Sequence, residues 1–148
     1  MAGSGPAPAT ITALQATLAA ENAAIYGYGV AGAYLSGSRF AAAQRDWNGH
    51  RAAGATLTAM ITRLGVKPAP AADAYRPPFP VNSARAAASL AAMLEDGVLT
   101  AYLGLVALDE VALRTFGARG MQASAIRAAF WRGSTTAFPG LPASALRG

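Results

Sequence analysis

The sequence predicts an all-α fold in which four helices pack side by side as a bundle. Apolar residues recur at intervals of three and four positions over four separate stretches, which is the period of an amphipathic helix. A proline-rich segment divides the four stretches into two pairs. At 148 residues the chain has the length of one domain. We expect a flexible leader over residues 1–9, the bundle over residues 10–142 and a flexible tail over residues 143–148.

The first helix is expected to begin at a cap on Thr10 or Thr12, with Gln15 completing a capping box, and to run to about Leu35. Its inward stripe contains one carboxylate among apolar residues: Leu14, Leu18, Glu21, Ile25 and Tyr28. A charge in the middle of such a stripe is buried, and a buried charge needs a partner. Glu21 is therefore a candidate functional residue.

The second helix is expected to run from about Arg39 to Leu64, where Gly65 supplies a left-handed cap. Its inward stripe also contains one polar residue: Phe40, Trp47, His50, Gly54, Leu57 and Ile61. We expect His50 to pair with Glu21 on the neighbouring helix, because each is the polar member of an apolar stripe. A glutamate–histidine pair is also an arrangement that general acid–base catalysis uses.

Residues 65–82 contain five prolines, which exclude a helix there. A segment of this length in extended form reaches about 55 Å, and a helix of about 25 residues is about 37 Å long. The segment can therefore run the whole length of the bundle and allow the second and third helices to lie parallel. One long Pro-rich crossover between helices 2 and 3 is the arrangement of ferritin-like four-helix bundles.

The third helix is expected to begin at a cap on Asn82 or Ser83 and to end near Ala107. Its inward positions are Leu90, Leu94, Val98, Ala101 and Leu105, with Glu95 and Tyr102 on its flank. The fourth helix is expected to follow a cap on Asp109 and to run from about Glu110 to Arg132. Its inward positions are Leu113, Phe116 or Gly117, Met121, Ser124, Ala128 and Trp131. We expect the residues beyond this helix to fold back on the bundle, anchored by Phe138 and Leu141.

The composition restricts the classes of partner. Hydrophobic residues make up 53% of the chain and charged residues 13%, which is about half the usual charged share, so we expect part of the apolar excess to cover the interface of a homodimer. The net charge of +5 comes from scattered basic residues rather than from a cluster, so no nucleic-acid partner is expected. The chain has no cysteine, which excludes thiolate chemistry.

The N-terminal region indicates the compartment. The first basic residue is Arg39, so the N-terminus lacks the positively charged region of a signal peptide. Residues 9–38 carry one charge, that of Glu21, and a carboxylate at the centre of a membrane span is costly. We therefore expect no membrane partner and a cytoplasmic location.

Several segments resemble the ferritin-like domain-of-unknown-function family of alanine-rich actinobacterial proteins. The segments that carry this resemblance are Glu-Asn-Ala-Ala-Ile-Tyr-Gly-Tyr-Gly at 21–29, His-Arg at 50–51, Ala-Tyr-Arg-Pro-Pro-Phe-Pro-Val at 74–81, Leu-Glu-Asp-Gly at 94–97, Ala-Ala-Phe-Trp-Arg at 128–132 and Ala-Phe-Pro-Gly-Leu-Pro at 137–142. The resemblance covers nearly the whole chain. It implies a ferritin-like bundle and implies no activity.

The chain departs from this family at three places. Asn22 stands where members have histidine after the glutamate, residues 53–55 are Ala-Gly-Ala where members have a charged triplet, and Tyr102-Leu103 replaces Trp-Arg. Each departure removes charge or bulk near the middle of the bundle. By comparison with the family, we expect a hollow beside Glu21 and His50.

A standard di-iron centre is excluded by the number of ligands. In this fold it needs four carboxylates and two histidines, with Glu-x-x-His on two helices. The chain has one histidine, and neither its second nor its fourth helix carries that motif. We expect neither a bound metal nor another cofactor.

Three interpretations of the function remain. The favoured one is a metal-free site in the bundle core for a small apolar or aromatic molecule, with acid–base chemistry such as elimination, isomerisation or cyclisation. Its candidate catalytic residues are Glu21 and His50, and its candidate substrate-binding residues are Asn22, Tyr28, Trp47, Glu95 and Tyr102. One alternative is a catalytically silent module for dimerisation or protein interaction, in which the polar residues only satisfy one another. The other is a mononuclear metal protein with Glu21, His50 and Glu95 as ligands.

Overall fold

The computed structural model describes residues 5–135, which form four α-helices and no strand. The helices are α1 (Pro8–Gly32), α2 (Gly37–Arg63), α3 (Ala84–Val106) and α4 (Val111–Arg132). Helix α1 packs against α2 and α3, and α3 packs against α4. The predicted all-α four-helix bundle is confirmed.

Cross-helix hydrogen bonds show the direction of the helices. On α1, Thr17 donates to the carbonyl oxygen of Ala101 (3.3 Å) and Tyr28 donates to Glu95 (2.6 Å). Residue numbers on α3 therefore fall as those on α1 rise, so these helices are antiparallel. Short turns join α1 to α2 and α3 to α4, and each of these pairs is antiparallel as well. It follows that α2 and α3 are parallel, as the long crossover predicts.

The segment between α2 and α3 lies along the outer side of α1. The side-chain amide of Gln15 donates to the carbonyl oxygen of Lys67 and accepts from the backbone N–H of Ala69, both over 2.8 Å. Further along α1, the ring of Tyr26 packs on that of Tyr75, with ring centroids 5.4 Å apart. Gln15 therefore holds the crossover instead of completing a capping box.

Two predicted helix starts are wrong. Helix α1 begins at Pro8 and follows Ala7, because proline has no N–H to satisfy in the first turn and its fixed φ suits a helix. Thr10 therefore lies inside the helix, two residues after the observed start, and donates its hydroxyl to Glu110 over 2.8 Å. Glu110, not Asp109, precedes α4, and its side chain forms no capping hydrogen bond.

The other helix ends lie closer to the predictions. Ser83 caps α3 by accepting from the backbone N–H of Ala86 over 3.1 Å, and Gly65 follows α2 with the expected positive φ, +75°. Helix α1 ends at Gly32, three residues before Leu35, and α2 begins two residues before Arg39. The positive φ of Gly37, +55°, makes this tight turn accessible, since other residues rarely adopt that conformation.

Small residues bring the helices close together in the core. Many buried positions are alanines, among them Ala24, Ala31, Ala42, Ala87 and Ala91. Gly120 on α4 lies under the ring of Tyr102, where an added Cβ would come within 2.5 Å of ring atoms. Tyr102 and Glu95 are both buried, so they lie in the core and not on the flank of α3. The predicted core residue Phe40 is 46% exposed, because it lies in the first turn of α2 at the edge of the bundle.

Among the described helices, α3 is long and apolar enough to cross a membrane by length and composition alone, and 44% of its apolar stretch is buried inside the bundle. Core helices commonly pass this test, so it is weak evidence for a membrane span. The predicted anchors Phe138 and Leu141 lie outside the described residues.

Candidate functional site

The centre of the bundle contains a histidine between two glutamates. Nδ1 of His50 on α2 lies 2.6 Å from Oε2 of Glu21 on α1, and Nε2 lies 2.9 Å from Oε1 of Glu95 on α3. None of the three side chains is more than 2% exposed. Three of the four helices thus each contribute one charged side chain to these two contacts.

The contacts of His50 determine its protonation. A carboxylate oxygen accepts hydrogen bonds, so two flanking carboxylates require an N–H on each ring nitrogen, which is the imidazolium form. Burial, the strongest single influence, lowers the pKa of His50. The hydrogen bonds that His50 donates to Glu21 and Glu95, together with the negative charges of these glutamates, outweigh burial and raise the pKa of His50 to about 9. His50 therefore holds a proton at neutral pH.

Two tyrosines complete this arrangement. Tyr102 donates its hydroxyl to Oε1 of Glu21 over 2.7 Å, and Tyr28 donates to Oε1 of Glu95 over 2.6 Å. Burial, followed by the charge of the nearby glutamate, raises the pKa of each phenol above its ordinary value, so both remain donors. We call the hydrogen-bonded chain Tyr102–Glu21–His50–Glu95–Tyr28 the core cluster.

A second layer of polar residues, which was not predicted from the sequence, lies beside Tyr28. Oδ2 of Asp46 accepts from the indole N–H of Trp131 over 2.8 Å and lies 3.3 Å from the Tyr28 hydroxyl. Nε of Arg127 lies 3.6 Å from Oδ1 of Asp46, and its Nη1 lies 4.0 Å from Oε2 of Glu95. The sequence contains one signal for this layer, which is a spacing: Arg127 precedes Trp131 by four residues, so both lie on the inward side of α4.

Two buried polar atoms are left without a hydrogen-bond partner in the part of the chain that the structure describes. They are Oε2 of Glu95 and Oγ of Ser124. A buried polar atom without a partner is costly, so each position stores free energy that a bound group or a substitution can release.

The donor atoms do not converge on a common point, as a metal ion requires. Each nitrogen of His50 faces a different glutamate, so the two carboxylates lie on opposite edges of the ring. Within residues 5–135 no group of three or more His, Asp or Glu side chains is arranged to hold a metal ion. The geometry gives no support to the mononuclear metal interpretation.

The structure brings five of the seven predicted site residues into the core cluster. Trp47 lies outside it, in the wall of a groove between α1 and α2, with the Arg51 guanidinium 4.7 Å from the ring centroid. Asn22 is half-buried and forms no hydrogen bond with the cluster residues that the structure describes. Direct contacts among the cluster side chains occupy the middle of the bundle, where we expected a hollow.

The groove between α1 and α2 encloses about 350 Å³ and touches the core cluster at Tyr28. Its lining combines aromatic and small residues: Tyr28, Gly29, Gly32, Ala33, Phe40, Ala43, Gln44 and Trp47. It is the place where a ligand can approach the cluster from the surface.

Comparison with known proteins gives a family but no activity. No curated protein matches the sequence. The fold is similar to the crystal structure of a conserved hypothetical protein, rv2844, from Mycobacterium tuberculosis, with a TM-score of 0.83 and 30% sequence identity over 86% of this chain and 98% of that chain. The model of the family described as domain of unknown function DUF4439 matches residues 13–143. The chain therefore belongs to the DUF4439 family.

Proposed function

We propose that the protein binds a small apolar or aromatic molecule in the groove between α1 and α2, and that the core cluster supports proton transfer on this molecule. One observation carries the proposal: Tyr28 belongs both to the groove wall and to the core cluster. A ligand in the groove would therefore lie against a residue that is coupled to a buried, protonated histidine.

The chemistry of the groove supports an apolar or aromatic ligand. Its lining includes three aromatic side chains, Tyr28, Phe40 and Trp47, and no charged one. Gly29 and Gly32 have no side chain, so they leave space in the groove beside these aromatic rings. The volume of about 350 Å³ lies within the range of small-molecule sites, about 300–1,000 Å³. A planar ligand would also cover part of the exposed Phe40 ring.

The core cluster supports the proposed acid–base step. The phenol of Tyr28 contacts Glu95, and Glu95 contacts His50, so short hydrogen bonds connect the groove wall to the stored proton. In the proposed step, Tyr28 gives its proton to the ligand while a water molecule in the groove removes another proton from the ligand. Tyr28 regains a proton from His50 through Glu95, and the proton taken up by the water restores the His50 imidazolium. Glu21 and Tyr102 stabilise the protonated histidine from its other side. Elimination, isomerisation and cyclisation all require this kind of transfer.

The ancestry that fits this arrangement is ferritin-like and actinobacterial. The helix order and the long crossover are those of ferritin-like bundles, and the match to a mycobacterial protein supports an actinobacterial family. We propose that Glu21, His50 and Glu95 occupy positions of former metal ligands that now hydrogen-bond to one another. A cytoplasmic location belongs to the same proposal.

Ligand binding is tested with a matched pair of glycine substitutions. Gly29→Leu places a side chain in the groove, and Gly97→Leu places the same side chain on α3, away from it; neither meets another atom within 4 Å at its Cβ. We expect 2-naphthol to shift the indole N–H resonance of Trp47 in the NMR spectrum. Gly29→Leu should weaken binding at least about tenfold, and Gly97→Leu should leave it unchanged. Equal affinity for both variants would contradict the proposed site.

Proton transfer is tested separately, by deuterium incorporation beside the carbonyl of 2-tetralone in D₂O. We expect the wild-type protein to accelerate exchange, and Tyr28→Phe and Glu21→Gln each to reduce the rate at least about tenfold. A wild-type rate equal to that in buffer would show that the protein does no acid–base chemistry on such ligands, and a wild-type rate equal to that of Tyr28→Phe would show that Tyr28 takes no part in it.

The alternative of a dimerisation module is supported by one surface feature. Helix α4 exposes Val111 (67%), Ile126 (65%) and Phe130 (54%), and the last two lie one turn apart on the same side of the helix. A second copy of the chain would bury these side chains. Sedimentation equilibrium of the wild type and of an Ile126→Glu, Phe130→Glu variant tests this alternative. A wild-type monomer at the highest attainable concentration would exclude it.

A further inference from the structure

Three arginines from three different helices line one cavity at the end of the bundle. Arg39 belongs to α2, Arg85 to α3 and Arg132 to α4, and the cavity between them encloses about 460 Å³. In the sequence these arginines are more than forty positions apart, so they do not form a basic cluster there. The fold brings them together because α2 and α3 both start, and α4 ends, at this end of the bundle.

The positive charges of this cavity are only partly balanced. Asp96 is the one acidic residue among the described residues that line it, and it is paired with Arg132. Arg39 and Arg85 form no ion pair with any residue in the range 5–135. The cavity therefore has two positive charges more than its own carboxylate neutralises.

The backbone adds to this excess. Arg39 and Arg85 lie in the first turns of α2 and α3, where the free N–H groups already carry partial positive charge and acidic residues are preferred. Neither first turn contains an acidic residue, and the side chain of Ser36 forms no capping hydrogen bond on α2. Two cations at two helix N-termini repel the positive ends of the helices, and a bound anion would offset both repulsions.

Four of the other residues that line the cavity are apolar. Ala88, Ala92, Met93 and Trp131 face the cavity together with the hydroxyl-bearing Ser89. A water molecule in the liquid occupies about 30 Å³, and a free phosphate ion is only a few times larger. Free phosphate would therefore leave much of the cavity unfilled. An anion with an apolar body would use both parts of the wall.

We propose that this cavity binds a phosphate monoester of a small apolar alcohol or phenol. The phosphate lies between Arg39, Arg85 and Arg132, whose forked N–H groups suit phosphate oxygens. The apolar body packs against Met93 and the two alanines. The cavity shares no lining residue with the groove between α1 and α2, so this inference does not depend on the function proposed above.

Ser89 and Trp47 allow the two sites to be observed separately. Ser89 lines the arginine cavity and Trp47 lines the groove, so the backbone N–H resonance of Ser89 and the indole N–H resonance of Trp47 each report on one site. The probes are phenyl phosphate, inorganic phosphate and benzyl alcohol, titrated into ¹⁵N-labelled protein. We expect phenyl phosphate to shift the Ser89 resonance and leave that of Trp47 unchanged, and to bind at least about tenfold more tightly than the other two probes.

A charge-matched pair of variants provides the control. Arg39→Ala, Arg85→Ala removes two exposed arginines of the cavity, and Arg63→Ala, Arg119→Ala removes two exposed arginines elsewhere. We expect the first variant to lose at least about tenfold in affinity for phenyl phosphate and the second to remain within about twofold of the wild type. Neither variant alters the core cluster, so both should fold.

Three results would overturn the proposal. Equal losses in both variants would show attraction by overall charge and no site. Equal affinity for inorganic phosphate and phenyl phosphate would show that the apolar wall is not used. Binding to vesicles that contain phosphatidic acid, without binding of phenyl phosphate in solution, would identify a lipid surface as the source of the phosphate group.

Discussion

Raising the pH should destabilise this protein in a range where few other side chains titrate. His50 is the only histidine, and its pKa is about 9 in the fold and about 6.5 in the unfolded chain. A raised pKa means that the fold prefers the protonated form. The stabilisation is therefore fully present below pH 6.5 and is lost as the pH rises through about 9.

The magnitude follows from the interval between the two values. Between pH 6.5 and 9 the folded protein holds one proton that the unfolded chain has released, so the free energy of unfolding falls by about 1.4 kcal/mol per pH unit. Over the whole interval the loss is about 3 kcal/mol. A small domain has a free energy of unfolding of about 5–15 kcal/mol, so this loss is a large fraction of the total.

Urea unfolding followed by circular dichroism at several values between pH 6 and 9.5 measures this loss directly. NMR titration of the imidazole nitrogens gives the midpoint for His50 alone, which separates it from the α-amino group, whose pKa also lies in this range. A free energy of unfolding that stays constant from pH 6.5 to 9, or a midpoint at or below 6.5, would refute the assignment of His50 as a stored imidazolium.

Two substitutions in the core should change stability in opposite directions. Tyr102→Phe removes the phenol that donates to Glu21 and leaves a buried carboxylate oxygen unpaired, so we expect a loss of about 1–3 kcal/mol in urea unfolding, and no loss would contradict the hydrogen bond. Ser124→Ala removes a buried hydroxyl that has no partner among the described residues, so we expect a gain of about 1 kcal/mol, and a loss would show that this hydroxyl is satisfied in solution.

The helices and the principal polar contact could be predicted because each depends on one strong local signal. The apolar period marks the inward face of a helix, and a single polar residue on that face must find a partner. Glu21 and His50 are the polar members of neighbouring stripes, and they meet over 2.6 Å. The five prolines of the crossover were equally informative, since they exclude a helix and leave a segment long enough to span the bundle.

The remaining contacts depend on the rotation of each helix about its axis, which an alanine-rich sequence specifies weakly. Glu95 and Tyr102 were placed on the flank of α3, but both are buried, and Gly120 on α4 leaves the space that the Tyr102 ring occupies. The arginine cavity was not foreseeable for a related reason. Its three cations lie on three helices, and the rotation of each helix about its axis decides whether these cations face one another.

The composition of the core itself argues that the cluster has a use beyond joining the helices. Three carboxylates and two cations are placed in or beside an otherwise apolar interior, and replacing buried ion pairs by well-packed apolar residues is often neutral or stabilising. Leucines at these positions would fix helix register at less cost in desolvation. What leucines would not supply is a proton held between two carboxylates and connected to the groove wall through Tyr28. A role limited to register would therefore leave ligand binding in the groove unchanged when Glu21, His50 and Glu95 are replaced by leucine. The proposed role requires proton transfer on the bound ligand to be lost in this variant, even if the fold becomes more stable.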